Sequence, residues 1–533
     1  MPTLTVILKE GKHRISFSSG QSLRDILDTT DLRVRSGCRG MGACGLCRVQ
    51  IEAGKVGPST ANEQIHLSST QLGQGVRLAC QIVAESDLQV TILAPARESV
   101  WRSTPREIER RGGQSSRYFP LNDLPGEIEN PYGVAVDLGT THIHLSFHDL
   151  STGKWLCSRY ALNPQTDFGA DVMSRLVAAS ESREQARTLS RLAVKAIEEG
   201  LLDIATREGI NLQQVVRLVL VGNTAMLALL SGRNYELLLQ PRHWMNAVDC
   251  LPKRTEPWAE SWGIHSQSLI DVISPLAGFV GSDLLAGVMT TRLTENEGAS
   301  LLIDFGTNSE IALWDGQILR ATSAAGGPAF EGCGISCGVP VELGAIYNVH
   351  MKDGIFDYSI IAGSKPSGIC GSGLVDFIAG LVRSGLLNEL GRFATTVPER
   401  GFEVVPDDQK IVLTKRDVDM FQRAKAAIGV GIQVLLAQAD MRSEDLRRIC
   451  VGGAFGRFLN IENAQAIGLL PMIQPERVEL CGNIALAGCE EMLLSPDTVH
   501  RLKDLGSKTK IVNLSQCLDF EDIFLENLYL QPM

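Results

Sequence analysis

Cys38, Cys44 and Cys47 lie in SGCRGMGACGLC (36–47), a C-x5-C-x2-C loop, and Cys80 follows in VRLACQ (76–81). Four thiolates can ligate a [2Fe–2S] cluster, two per iron. Zinc competes for the same ligands, but its sites favour two separated C-x2–4-C pairs, whereas three of these cysteines share one short loop. Four buried, unliganded cysteines are the third reading. Gly37, Gly40, Gly42 and Gly45 punctuate the loop. Glycine allows the positive φ and close backbone approach that wrapping a small cluster needs, and loop amides can hydrogen-bond the sulfides and set the potential.

A second constellation pairs acids with small turns. Asp137-Leu138-Gly139-Thr140-Thr141 and Asp304-Phe305-Gly306-Thr307-Asn308 each follow an apolar run, so each acid stands at a strand end. The glycines and hydroxyl residues that follow offer amides and OH groups to a phosphate. Two carboxylates facing each other across a cleft could hold Mg²⁺ and orient a water. A third glycine-rich turn, VGGAFG (451–456), adds Gly452, Gly453 and Gly456 as candidate binding positions. There is no G-x4-G-K-[ST], so the chain is not a P-loop protein. Glu310 reads equally as a Mg²⁺ or water ligand and as an exposed strand residue.

His142 and His144 share one strand face as an H-x-H, but no third metal ligand is apparent. Cys333, Cys337 and Cys370 sit in glycine-rich turns and read as small packing residues. Cys157, Cys250, Cys450, Cys481, Cys489 and Cys517 are scattered and read as core or incidental.

The elements that must position these residues fall into blocks. In residues 1–94, Leu4–Leu8 and His13–Phe17 alternate like a hairpin about a turn at Glu10-Gly11-Lys12. A short helix at Ser22–Leu27 and strands at Arg48–Glu52 and Leu88–Leu93 complete a small cluster domain. Residues 95–131 carry Pro95, Pro105, Pro120, Pro125 and Pro131, six arginines and paired glycines and serines, which is linker composition with one short helix near Arg106–Arg111. From Tyr132 the pattern is α/β. Strands Gly133–Asp137, Leu218–Val221, Leu301–Asp304 and Ile449–Val451 each run into a glycine-rich turn. Helices are expected at Arg183–Glu208 and Lys415–Ala439, the latter opened by a Thr414/Asp417 capping box. AVDLGTTHIHLSF (135–147) and LIDFGTNSEIALW (302–314) both read strand–Asp–x–Gly–Thr–turn–strand, which predicts a duplicated unit. The expected plan is 1–94, a linker at 95–131, a first unit at 132–210 and an ATP-binding domain at 211–533.

With 533 residues, three to four domains are expected. Hydrophobic residues are 44% and charged residues 21%, a balance that excludes disorder as the main state. Lys plus Arg number 50 against 61 Asp plus Glu, a net charge of −11, so no nucleic-acid partner is expected. No apolar stretch of about 18 residues predicts a spanning helix, so no membrane association is expected. The alternating N-terminus lacks the apolar core of a signal peptide, and a cytoplasmic location follows as an expectation. There, thirteen cysteines suggest metal or redox chemistry before disulfides.

The cysteine arrangement resembles the ferredoxin family, with x5 spacing closer to the adrenodoxin-like branch. The three glycine turns, in this order, resemble the phosphate-1, phosphate-2 and adenosine motifs of the actin, sugar kinase and heat-shock chaperone superfamily. The combination resembles the reductive activators of corrinoid enzymes over nearly the whole chain. NPQTDFGADVMSR (163–175), LVGNTAM (220–226), PLAGFVGSDLLAG (275–287), AAGGPAFEGCGI (324–335), GICGSGLVD (368–376), RAKAAIGVGI (423–432) and GNIALAGC (482–489) carry it further.

The resemblance implies a multidomain α/β (α+β) fold: a β-grasp ferredoxin-like domain, then a two-lobed, ribonuclease H-like ATPase module. It implies ATP, Mg²⁺ and a [2Fe–2S] cluster as cofactors, a corrinoid methyl-carrier protein as partner and an upstream electron donor, and it allows a homodimer. The implied task is to return an inactive Co(II) corrinoid to Co(I) by one electron, with ATP assisting. A plant-type cluster sits near about −400 mV. Cobalt about 200 mV lower would set the electron roughly 4.6 kcal/mol uphill. The competing readings are a ferredoxin-type carrier whose large domain only docks a partner, an activator of another low-potential enzyme, and a small-molecule kinase.

Overall fold

The computed structural model describes the chain except residues 9–10, 31, 33, 35–41, 43–44, 46, 94–100, 104–129, 209, 296–297, 333, 343, 353–354, 363–364, 406–410 and 454–456. Cys38, Cys44, Gly456 and the helix expected near Arg106–Arg111 lie outside the described residues. The chain forms two compact units, Met1–Trp101 with Ala161–Ala196, and Arg102–Tyr160 with Ile197–Met533.

The first unit carries a five-stranded mixed sheet of β1 (Thr3–Leu8), β2 (Gly11–Ser16), β3 (Arg48–Ala53), β4 (Val76–Leu78) and β5 (Leu88–Ile92), in the order β2-β1-β5-β3-β4. Gly11 and Lys12, expected in a turn, are strand residues paired with Leu8 and Ile7. The period-two pattern buries Leu4 and Val6 of β1 and Val90 of β5 on one face. Helix α1 (Leu23–Asp28) opens on Ser22, whose hydroxyl accepts from the Asp25 amide, a cap worth about 1 kcal/mol.

The second unit is built on two six-stranded sheets. The first contains β6 (Arg102–Ser103), β7 (Tyr132–Leu138), β8 (His142–Asp149), β9 (Lys154–Leu162), β10 (Val215–Gly222) and β11 (Leu269–Val272), in the order β11-β10-β7-β8-β9-β6. The second contains β12 (Ala299–Phe305), β13 (Ser309–Trp314), β14 (Leu319–Ala324), β15 (Leu446–Gly453), β16 (Val478–Gly482) and β17 (Lys510–Ile511), in the order β16-β15-β12-β13-β14-β17. The orders superimpose strand for strand. The central pairs match too: β7/β8 and β12/β13 are antiparallel hairpins, and β10 and β15 lie parallel to β7 and β12. The halves differ at the outer edge, where β6 pairs antiparallel and β17 parallel.

Strand β10, flanked by parallel partners, is buried on both faces at all eight residues, which is why it reads as a near-continuous apolar run. Helix α2 spans Arg183–Glu208 as expected, and α3 spans Ser282–Thr290. Helix α4 (Lys415–Gln438) starts with the anticipated capping box, Thr414 and Asp417 bonding each other's backbone amides. Helix α5 (Ile484–Leu494) packs on α3 and on the first sheet. No helix among the described residues is long and apolar enough to cross a membrane.

Candidate nucleotide cleft and cluster loop

The two Asp-x-Gly-Thr turns close the hairpins β7/β8 and β12/β13, each with its acid near the end of the first strand. Both turns open into one cleft of about 500 Å³. Asp137, Gly139, Thr140, Thr141, Asp304, Gly306, Thr307, Asn308 and Gly453 all line it. Gly452 follows Val451 on β15 and pairs with Asp304 in register. The Gly453 backbone has φ +90°, and a Cβ there would lie 1.9 Å from the Phe305 carbonyl oxygen. Only glycine lets β15 pass this close to the second turn.

Two asparagines outside the predicted set hold the first turn. Asn223 caps the helix after β10: its Oδ1 accepts from the Met226 amide at 3.0 Å, and its Nδ2 donates to Thr140 Oγ1 at 2.9 Å. Asn483 caps α5 in the same way and donates its Nδ2 to Asp137 Oδ2 at 3.0 Å. Each stands in a Gly-Asn pair before an apolar run, an N-cap signature that could have flagged both.

Carboxylates crowd the cleft. Asp283, in the first turn of α3, is half-buried, and its poor solvation, with the charge of Asp137, pushes it up to about 7. Burial, then the charges of Asp283 and Asp137, holds Asp304 well above the carboxylate range. Glu310, read equally as exposed, is 7% exposed and pairs with Asp304 across the hairpin. Its carboxyl is raised by burial and by Asp283 and Asp304. The hairpin register turns it inward, a consequence of pairing that a single strand does not announce. Like charges this close in a poorly solvated site favour protonation or a bound cation, and an all-oxygen donor set suits Mg²⁺.

His144 Nδ1 lies 3.5 Å from Asp137 Oδ2, and its ring stacks on Tyr160 with centroids 5.9 Å apart. His142 and His144 thus line the cleft on one face, as their spacing predicts. Cys481, read as core or incidental, reaches the cleft wall, and its Sγ, Cys450 Sγ and a Glu479 oxygen lie within 4.8 Å of one another. Both Glu479 oxygens accept from Arg448, at 2.8 and 2.7 Å. Cys337 and Cys370 are buried in packing roles, and burial pushes the Cys337 thiol up to about 12.

In the first unit, Cys47 and Cys80 bring their sulfurs within 3.4 Å. Gln81 Nε2 stands 3.5 Å from Cys80 Sγ as a donor. Gly42 and Gly45 adopt φ of +77° and +66°, and a Cβ on either would strike Asn62 or His66. The described part of the site therefore fits a metal–sulfur group: two converging thiols, a donor to one sulfur, and a backbone that admits only glycine at two points. Beside it Glu63, fully buried, accepts from Arg77 Nε and Nη2, both at 2.8 Å, and from the Leu78 amide at 2.9 Å.

A [2Fe–2S] module fused to a duplicated, actin-like nucleotide-binding module defines a class of ATP-linked electron-transfer proteins. Three family models match in series: the 2Fe-2S iron-sulfur cluster binding domain over 7–85, the RACo middle region over 132–296, and the C-terminal domain of RACo, the ASKHA domain, over 298–533. The corrinoid activation enzyme RamQ of Eubacterium limosum is 31% identical over 445 residues, 78% of this chain and 72% of that protein. The [Co(II) methylated amine-specific corrinoid protein] reductase of Methanosarcina barkeri is 26% identical over 411 residues, 71% of this chain and 72% of that one. The solved structure of a reductive activator for corrinoid, iron-sulfur protein aligns with all of this chain and 99% of its own, at 25% identity and a TM-score of 0.68. The chain belongs to the RACo family of corrinoid activators.

Proposed function

We propose that this chain is an ATP-dependent reductive activator that passes one electron to the Co(II) corrinoid of a methyl-carrier protein and so restores Co(I). The observation that carries it is the coexistence, in one chain, of the converging thiols Cys47 and Cys80 with a cleft lined by both Asp137 and Asp304.

Residues 1–94 supply the electron module, with Cys38, Cys44, Cys47 and Cys80 as ligands of the [2Fe–2S] cluster, and 95–131 link it to 132–210 and 211–533. The cluster, when bound, supplies a one-electron couple. Asp137 and Asp304 hold Mg²⁺. Gly139, Thr140 and Thr141, with Gly306, Thr307 and Asn308, present amides and hydroxyls to the phosphates. Gly452, Gly453 and Gly456 shape the adenosine end. Asn223 and Asn483 keep the first turn in register through Thr140 and Asp137.

Nucleotide cannot alter a redox potential by itself; it biases a conformation. Because the two turns belong to separate sheets, a ligand bridging them favours one setting of the cleft, and that setting changes affinity for the Co(II) partner. The partner, the upstream donor, a cytoplasmic setting and a homodimer remain parts of this proposal.

The test is anaerobic. The reduced protein is mixed with a Co(II) corrinoid protein, and Co(I) absorbance is followed with and without Mg-ATP. Co(I) should form with ATP and fail in Cys47→Ser and in Asp304→Asn. Equal rates and equal partner affinity with and without nucleotide would sink the ATP-dependent part. Intact ATP turnover with no Co(I) from several partners would favour another low-potential acceptor.

A further inference from the structure

We propose that Cys450, Cys481 and Glu479 form a site for a thiophilic divalent cation of the zinc class, on the cleft wall and apart from the acids Asp137 and Asp304. The site goes beyond the activator reading and does not rest on it. Its three ligand atoms, two Sγ and one carboxylate oxygen, lie within 4.8 Å of one another. They come from neighbouring parallel strands. Cys450 on β15 pairs with Glu479 on β16, so the two side chains leave the sheet on one face. The ladder then skips Cys481, because Val451 pairs with Leu480 and Gly452 with Gly482. Gly482, at φ +71°, takes a backbone setting that suits this skip. Such a skip re-aims a side chain, and the Cys481 thiol completes the group beside Cys450.

The donor set selects the ion. Two sulfurs disfavour Mg²⁺, which takes oxygen, and favour zinc-class ions. Zn²⁺ binds thiolates at about 2.3 Å and carboxylate oxygens at about 2.0–2.2 Å, tetrahedrally, so its ligand atoms stand about 3.6–3.8 Å apart. That spacing falls inside the limit these three atoms meet. Arg448 Nε and Nη2 donate to the two Glu479 oxygens at 2.8 and 2.7 Å, and its Nη1 donates to the Thr291 carbonyl at 2.7 Å. Each carboxylate oxygen carries two lone pairs, so Glu479 can keep Arg448 and still ligate. Hydrogen-bonded carboxylate ligands are the usual arrangement around a metal, because the outer partner fixes their orientation.

The charges also balance. Two thiolates neutralise a divalent ion, and the Arg448–Glu479 pair is neutral by itself. Cys450 is fully buried, and its hydrogen bond holds the Cys481 thiol below the usual value, which favours the thiolate that a metal needs. Binding moves the thiol protons to solvent and changes no oxidation state. Arg448, Glu479 and Cys481 line the cleft, so the fourth position opens to cleft water. An ion there ties the end of β16 to β15 two residues before Gly452, and so fixes the strand that carries Gly452 and Gly453 to the second turn.

The test uses the full-length, cluster-loaded protein, so that the cluster cysteines are occupied. Kept anaerobic and stripped of loose metal by a chelator, it is dialysed against micromolar Zn²⁺, and zinc and iron per chain are measured. The parent should take up about one zinc with its iron unchanged. Cys481→Ser should lose that zinc, and zinc should raise the melting temperature of the parent but not of this variant. Arg448→Gln should keep the site and weaken it about 10–100-fold. X-ray absorption at the zinc edge of the parent should show sulfur neighbours at about 2.3 Å, a reading that needs no variant to fold. Oxygen and nitrogen neighbours alone would overturn the site. So would a parent that binds no zinc, equal zinc in Cys481→Ser, or a Cys450–Cys481 disulfide found by mass spectrometry in the anaerobic protein. Zinc is read without Co(I) formation, so this site and the activator reading fail separately.

Discussion

Thr141 and Thr307 are 166 residues apart in the chain, and their hydroxyl oxygens are 2.8 Å apart in the cleft. Thr307 directly follows Gly306, Thr141 stands one place further on from Gly139 in its own turn, and the turns occupy equivalent corners of two sheets with the same strand order. The contact is thus a meeting of two copies of one unit, and it marks where a phosphate chain would be gripped from both sides.

Asp304→Asn should reduce ATP hydrolysis by at least about 100-fold, the usual cost of removing a group that stabilises developing charge. It should also abolish the rise in melting temperature given by Mg-nucleotide. The cleft acids add a pH signature. Asp283 is pushed up to about 7, and burial with the charges of Asp283 and Asp137 raises Asp304 as well, so in the metal-free protein both hold a proton more readily than an ordinary carboxyl. A bound cation favours their ionised forms, so Mg-nucleotide binding near about pH 6.5 should release protons. Calorimetry in buffers of different ionisation heat measures this, and Asp283→Asn should release fewer.

Gly453→Ala places a Cβ on the Phe305 carbonyl and forces alanine to φ +90°. A backbone neighbour cannot swing aside as a side chain can. The variant should lose more than about 2 kcal/mol of stability in thermal or denaturant unfolding. Gly316→Ala, with φ +98° but open space around it, is the matched control and should cost less.

Glu63→Gln removes the charge that Arg77 faces inside the cluster domain. Burial raises the Glu63 carboxyl, but hydrogen bonds from Arg77, Leu78 and Thr60 outweigh it and hold the group below its usual 4.5. Its stabilisation is therefore present above about pH 4.5 and fades as pH falls through the lowered value. At neutral pH the substitution should cost about 3 kcal/mol, the scale for stranding one partner of a buried pair. Loss of the visible absorbance of the cluster during denaturant unfolding reports it.

Lys425, in α4, is 1% exposed, and burial lowers it to about 8 from 10.5. Below about pH 8 the folded chain must bury the charge. Between about 8 and 10.5 the unfolded chain binds the extra proton, so stability from this group rises with pH. Lys425→Met should be more stable than the parent at pH 7 by up to roughly 3 kcal/mol. That advantage should shrink toward pH 10 in parallel denaturant titrations.

Local signals made much of the fold legible. The capping box at Thr414 and Asp417, the strands before each glycine turn, and the likeness of 135–147 to 302–314 are all short-range patterns, and the duplicated strand order follows from them. What sequence misplaced depended on pairing partners. Gly11 became strand because Leu8 lies opposite it. Glu310 turned inward because the β12/β13 register sets it beside Asp304. Cys481 reached the cleft wall because β16 ends there.

The residue types and spacings of this chain alone determined its chemistry: thiols clustered in a glycine-rich loop, and two acid-bearing turns suited to phosphate. Those motifs are contiguous, so backbone geometry and side-chain chemistry act within a few residues. Only the tertiary structure decided which distant groups serve them. Asn223, Asp283 and Asn483 come from other elements, and no local pattern ties them to the acid-bearing turns. Their roles arise because two similar sheets bring chain segments up to 346 residues apart into hydrogen-bonding distance. Hydrogen bonds of about 3 Å demand a placement that only the packed core supplies.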